Sequence, residues 1–164
     1  MKRIAQFQWV SERQFAADYT DSFGTDAVPA LPPLPRRATT GSAGYDFYLP
    51  CAVRLEPGQS IKIPTGIRAR IDEGWVLKIY PRSGLGFKFR LQLNNTVGII
   101  DSDYYGADNE GHIQIKLTND SREGKVVDLP AGAAFAQGVF VEYGITVDDE
   151  ADAQRTGGFG STSK

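Results

Sequence analysis

A guanidinium, a hydroxyl and glycine-exposed amides stand together in Pro81-Arg82-Ser83-Gly84-Leu85-Gly86, where all of them can face one anion. A second segment, Gly98-Ile99-Ile100-Asp101-Ser102-Asp103-Tyr104-Tyr105-Gly106, is an apolar run that enters a turn carrying two acids and two tyrosines. A third, Ala43-Gly44-Tyr45-Asp46-Phe47, sets a carboxylate in an apolar context just after a glycine that frees the backbone. The last, Arg155-Thr156-Gly157-Gly158-Phe159-Gly160-Ser161-Thr162, surrounds one aromatic with glycines and follows it with hydroxyls. It has neither the spacing nor the lysine of a phosphate-binding P-loop. It suits a flap whose amides and hydroxyls wrap phosphates while Phe159 stacks on a base. Each segment alone reads equally well as a glycine-rich turn; their joint occurrence is what points to a site.

The bulk composition narrows the classes. The chain has 164 residues, 41% of them hydrophobic and 23% charged, which suits one globular domain with its own core. Net charge is −2 and the pI is near 5.4, so there is no broad basic face for a nucleic acid. An anionic substrate has to be held by a few placed groups. The one cysteine, Cys51, excludes an intrachain disulfide and reads as a packing residue beside Pro50 and Val53. No nucleophile–histidine pair is evident. No apolar signal core occupies the N-terminus and no run reaches membrane-spanning length, so the expectation is a soluble cytoplasmic protein.

Short alternating runs must position these groups. Ser60–Ile63, Trp75–Tyr80, His112–Leu117 and Val139–Tyr143 place apolar residues at every second position, the period of a strand with one buried face. Turn signals separate them at Glu56-Pro57-Gly58, Asp72-Glu73-Gly74, Asp108-Asn109-Glu110-Gly111 and Pro130-Ala131-Gly132. Strands at this spacing predict an antiparallel β-sandwich or barrel. Only Ser11–Tyr19 reads as helical, with Ser11 as its N-cap. The proline-rich stretch Val28–Arg37 is expected to lie extended along the domain. His112, next to Ile113 in an alternating run, reads as a surface residue. Lys88 and Arg90 read as solvated strand positions.

In order and approximate spacing, Ala43 to Thr162 resembles the homotrimeric dUTPase family, carried above all by GIIDSDYYG and GGFGST, with Phe135-Ala136-Gln137-Gly138-Val139 between them. The resemblance implies a jelly-roll-like all-β domain that forms a homotrimer whose active sites are shared among subunits. It implies hydrolysis of dUTP to dUMP and pyrophosphate, which keeps uracil out of DNA and supplies dUMP for dTMP synthesis. Asp101 corresponds to the carboxylate that activates the attacking water, which strikes the α-phosphorus without a covalent intermediate. Tyr104 corresponds to the ring that packs beneath the deoxyribose. Asn95, Gly98 and Ile99 correspond to the uracil pocket. Arg82, Ser83, Gly84 and Gln137 correspond to phosphate contacts, and Asp46 to a carboxylate that stabilises the site. In the tail, Arg155, Phe159, Gly160 and Ser161 correspond to groups that close over the nucleotide. Mg2+ is expected to ride on the triphosphate with no direct protein ligand.

The implied organisation is an N-terminal strand, helix and leader over residues 1–40, a β domain over 41–146, and a hinge with a C-terminal tail over 147–164. Two positions depart from the family pattern. Ala134 stands where many relatives carry arginine, and Gln154-Arg155 shifts the tail arginine by one. Two rival readings remain: a dCTP deaminase of related fold, and a binding module with a protein partner at the N-terminal helix or proline leader.

Overall fold

The alternating runs are strands in the computed structural model, which describes residues 1–153 together with Arg155 and Gly157. In chain order the elements are β1 (Ala5–Trp9), α1 (Glu12–Phe23), β2 (Arg36–Arg37), β3 (Tyr45–Tyr48), β4 (Val53–Leu55), β5 (Ser60–Pro64) and β6 (Ile67–Ile71). They continue with β7 (Trp75–Pro81), α2 (Ser83–Phe89), β8 (Leu91–Leu93), β9 (Gly98–Ile100), a 3-10 turn (Ser102–Gly106), β10 (Gln114–Asn119), β11 (Val127–Leu129) and β12 (Ala134–Glu142). The largest sheet runs β2-β3-β12-β7-β9, a second runs β5-β10-β8, and β1-β6 and β11-β4 form two-stranded ribbons. Every pairing is antiparallel. The all-β, jelly-roll-like expectation is met.

Period two decides what is buried. Along β10, Ile115 and Leu117 face inward while Lys116 faces water. On β7, Leu77 and Ile79 are fully buried, and with Phe47, Ile63 and Phe135 they form the centre of the main core. Burying each such side chain stabilises the fold by about 1.5–3 kcal/mol. The close approach of β12 to this layer needs Gly138, where a Cβ would lie 2.8 Å from Leu77 Cδ1 and 3.1 Å from the Phe47 ring.

Helix α1 begins at Ser11, as expected, and runs past Tyr19 to Phe23, where Gly24 takes the left-handed conformation and closes it. It buries Phe15 and Tyr19 with Val10 in a small second cluster, against which Val28, Leu31 and Cys51 pack. The packing role expected for Cys51 is thereby met. The proline-rich segment lies along this unit, and the Trp9 indole donates to the Pro32 carbonyl at 2.8 Å. Helix α2 was not anticipated, because Gly84 and Gly86 lower helix propensity over a short run. Lys88 and Arg90 therefore sit at a helix end and not on a strand. Arg90 is exposed there, with its Nε 3.1 Å from Asp120 Oδ2.

His112 is a correction. It is completely buried, at 0% exposure, because it precedes β10 and turns inward before the alternation begins. The Gly66 amide donates to its Nε2 at 2.7 Å, so that nitrogen carries no proton. Its Nδ1–H donates to Asp18 Oδ2 on α1 at 2.5 Å. Burial alone would raise the Asp18 carboxyl, but hydrogen bonds from His112 and Gln14, with Lys62 nearby, bring it below its ordinary 3.8.

Because the folded pKa lies below the unfolded one, Asp18 stabilises the fold above the unfolded value and loses that effect as pH falls through the folded value. The stability lead of wild type over Asp18→Asn, measured as urea midpoints, is expected to stay level down to about pH 5 and to shrink below about pH 4. A lead that persists unchanged to about pH 2 removes Asp18 from the acid response.

Candidate active site

The register of the large sheet gathers one set of groups. Asp46 on β3 lies opposite Gln137 on β12, and Gln137 lies opposite Tyr80 near the end of β7. Arg82 follows β7 directly, and its Nη1 forms an ion pair with Asp46 Oδ1. Gln137 Nε2 donates to the Pro81 carbonyl at 3.2 Å. Gly44 leaves room for that glutamine, since a Cβ there would lie 2.7 Å from Gln137 Oε1. Ser83 and Gly84 form the exposed first turn of α2, whose amides have no acceptor within the helix. Beside them a cleft of about 300 Å³ is lined by Pro81, Arg82, Ser83, Gly86 and Phe87. This end of the sheet thus presents a buttressed guanidinium, a hydroxyl and open backbone, a set suited to phosphate oxygens.

A larger cleft, about 460 Å³, opens between β9 and the β5-β10-β8 sheet. Asn95, Gly98 and Ile99 line it with apolar walls from Ile79, Leu93 and Ile115. The chain reaches it through a tight turn in which the Thr96 amide bonds Leu93 O at 3.0 Å and the Val97 amide bonds Asn95 O at 2.7 Å. Gly98 lets β9 press onto β7, for a Cβ would lie 2.9 Å from Ile79 Cβ. The volume falls in the range that holds a small ligand such as a nucleoside.

Asp101 directly follows Ile100, the last β9 residue that lines this cleft, and precedes the 3-10 turn, with its side chain 48% exposed. Arg155 bridges the two acids of the turn, its Nη2 2.7 Å from Asp101 Oδ2 and its Nε 2.9 Å from Asp103 Oδ1. Its guanidinium carbon stands 5.7 Å from the centre of the Tyr104 ring. Tyr104 is only 5% exposed and its hydroxyl donates to the His112 carbonyl at 2.8 Å while accepting from Asn109 Nδ2 at 2.8 Å. Burial pushes the Tyr104 hydroxyl up from its ordinary value of 10.0, so it stays protonated and donating. The loop folds back tightly on itself at Gly111, φ +69°, where a Cβ would lie 2.6 Å from Tyr104 O.

Within one chain the two sets stay apart. Ile100 lies opposite Leu77, so Asp101 continues away from the Arg82 end of β7. The extended stretch from Leu77 to Arg82 alone spans roughly 16 Å. Asp46, Arg82, Ser83, Gly84 and Gln137 therefore form one cluster, and Asn95, Gly98, Ile99, Asp101, Tyr104 and Arg155 another. Phe159, Gly160 and Ser161 lie outside the described residues. Sequence patterns missed Asp103 as a partner of Arg155, and Asn109 and His112 as supports of Tyr104. A polar turn and a lone histidine carry no signal of that role.

The family model for dUTPase matches residues 32–163. The chain is 42% identical over 132 residues to the deoxyuridine 5'-triphosphate nucleotidohydrolase of Lactococcus lactis subsp. lactis, covering 79% of this chain and 87% of that one. Similarity to the crystal structure of the dUTPase from Streptococcus mutans gives a TM-score of 0.64 at 31% identity, over 87% of this chain and 98% of that one. A mutant dUTPase from phage phi11 of S. aureus, whose structure is described with a structural Mg(II) ion, shares the fold at TM-score 0.65 and 21% identity, over 92% and 98%. The order of the motifs, the cleft they line and these likenesses agree: the chain belongs to the dUTPase family.

Proposed function

We propose that the protein hydrolyses dUTP to dUMP and pyrophosphate, with Asp101 as the base that activates water for attack on the α-phosphorus. The observation that carries this is the half-exposed Asp101 carboxylate next in the chain to Ile100, which lines the cleft with Asn95, Gly98 and Ile99. Uracil enters that cleft, where Asn95 and main-chain groups pair with its edge. A pocket built for those donors and acceptors rejects cytosine by leaving polar groups unpaired, and the close walls exclude the thymine methyl. The deoxyribose packs on Tyr104, on the face that Arg155 now covers, and a 2′-hydroxyl has no room there. Arg155 leaves Asp101 as the triphosphate offers it stronger acceptors.

Arg82, Ser83, Gly84 and Gln137 take the phosphates, with Asp46 holding the Arg82 guanidinium in place. Their distance from Asp101 along β7 supports a homotrimer in which one chain lends Arg82 and Ser83 to the Asp101 and Tyr104 of another. The acidic link over 147–152 is exposed and lets the tail, with Phe159, Gly160 and Ser161, reach a third chain. Mg2+ carried on the triphosphate fits the donors present: Asp46 is paired with Arg82, Asp101 and Asp103 with Arg155, and no group of three His, Cys, Asp or Glu converges among the described residues. Bound there, the ion would neutralise charge on the departing pyrophosphate. No helix among the described residues is long and apolar enough to cross a membrane.

Asp101→Asn keeps the shape and removes the base. Pyrophosphate release from dUTP is expected to fall by roughly 10³-fold with dUTP binding held within about tenfold. Near-normal release by this variant rules out the assigned base, and ammonia release from dCTP by the wild type favours the deaminase reading.

Tyr104→Ala is expected to narrow the preference for dUTP over UTP, read as the ratio of their kcat/KM values, more than it weakens dUTP binding. An unchanged ratio makes Tyr104 a purely structural residue.

Arg155 contacts Asp101 of its own chain, which favours a second reading in which the tail serves the site of the chain that carries it. Mixing separates the two. Asp101→Asn chains and chains lacking residues 154–164 are unfolded and refolded together. With shared sites, about three quarters of random trimers are mixed and each mixed trimer holds one working site, so roughly a quarter of wild-type activity returns. Confirmed hybrid trimers without activity establish the single-chain tail.

A further inference from the structure

Residues ahead of the family match at residue 32 grip the loop that carries the proposed catalytic groups. Three contacts do this. The Tyr105 hydroxyl donates to Gln8 Oε1 on β1 at 2.6 Å. Both the backbone amide and the hydroxyl of Ser11 donate to the Glu110 carboxylate, each at 2.7 Å. Asp18 on α1 accepts from the ring of His112. The Ser11 contact completes a capping box from a distance. Ser11 Oγ accepts the Gln14 amide in the usual way, but the carboxylate that returns to the N-cap amide comes from Glu110, 99 residues on. Gln14, at the position that normally provides it, turns instead to Asp18 at 2.9 Å.

The Asp18 contact leads on to Tyr104. The ring of His112 is held between Asp18, the Gly66 amide and the edge of Phe15. With the ring fixed, the His112 carbonyl is fixed too, and that carbonyl is the acceptor of the Tyr104 hydroxyl. We propose that β1 and α1 act as a clamp on residues 101–112, with Asp18 and His112 as positioning residues that set the Tyr104 ring against the sugar. The proposal rests on the reading of Tyr104 as the surface beneath the deoxyribose.

The test compares full-length wild type with Asp18→Ala, Asp18→Asn, Tyr104→Phe and the Asp18→Ala/Tyr104→Phe double variant, using kcat and KM for dUTP and UTP from pyrophosphate release. Asp18→Ala is expected to raise KM for dUTP and to narrow the preference over UTP by roughly tenfold, with kcat changed far less. Asp18→Asn keeps an oxygen that accepts Nδ1–H and is expected to retain most of the preference. Tyr104→Phe breaks the same chain at its other end, so the double variant should lose no more than the worse single one.

An Asp18→Ala protein that melts earlier yet keeps the wild-type KM and preference overturns the clamp, and so do additive losses in the double variant. If Asp18→Ala does not fold, Ser11→Ala takes its place, since it removes only the exposed hydroxyl bonds to Glu110 and Gln14. Its preference is expected to narrow by about two- to threefold, and an unchanged value overturns the proposal. If Tyr104→Ala leaves the preference intact, the sugar-surface reading fails by itself, and the clamp is then decided by the KM of Asp18→Ala alone.

Discussion

A buried imidazole with one fixed proton holds this fold together where it matters for chemistry. The Gly66 amide takes the lone pair of His112 Nε2, which forces the proton onto Nδ1. In apolar surroundings an unpaired N–H costs about 1–3 kcal/mol, so an acceptor has to be brought to it. Asp18 is that acceptor, and it reaches His112 only when α1 is docked. The same knot includes the Val10 amide on Gly66 O at 3.0 Å and the Thr65 hydroxyl on Ile113 O at 2.6 Å. The N-terminal unit, the turn between β5 and β6, and the entry to β10 are therefore one hydrogen-bonded junction. Tyr104 hangs from its far side.

Strand geometry then divides the chemistry. The groups suited to phosphate collect where β3, β12 and β7 meet near Pro81, held by the Asp46–Arg82 pair. The cleft lined by Asn95, Gly98 and Ile99 collects with Asp101 around β9, whose pairing with β7 points Asp101 toward the other end. An extended strand cannot bring its two ends together. On the proposed shared-site reading, chains packed side by side rejoin what one chain separates, and the reaction then depends on assembly.

Much of this was legible before the structure. The alternating runs marked strands because one face of each packs on the core, and the four glycine-bearing turns separated them without ambiguity. Ser11 announced the start of α1 by its residue type, and its hydroxyl does accept the Gln14 amide. The site motifs were legible as types, and only the family resemblance set Arg82 and Ser83 apart from Asp101 and Tyr104, since register between distant strands leaves no local trace. His112 was misread because its burial depends on Asp18 and Gly66, neither of which neighbours it in sequence. Helix α2 was missed for the opposite reason: its local propensity is poor, and its place after β7 and against β8 imposes the turn.

The long-range cap of α1 also bears on how the chain folds. Helix α1 leaves the ribosome early, yet the carboxylate on its N-cap amide arrives 99 residues later and the partner of Asp18 arrives 94 residues later. A lone twelve-residue helix is marginal in water. Contacts this distant in sequence form late, after the entropy of closing the intervening loop has been met by β5, β6 and β10. Strand β1 finds its partner in β6 and α1 packs on β5, so by Ile71 the segment has a sheet edge to lie on, while its bonds to Glu110 and His112 wait for the later chain. The cap of α1 and the loop after Asp101 are completed by the same bonds, so neither is fully held until the chain has passed His112.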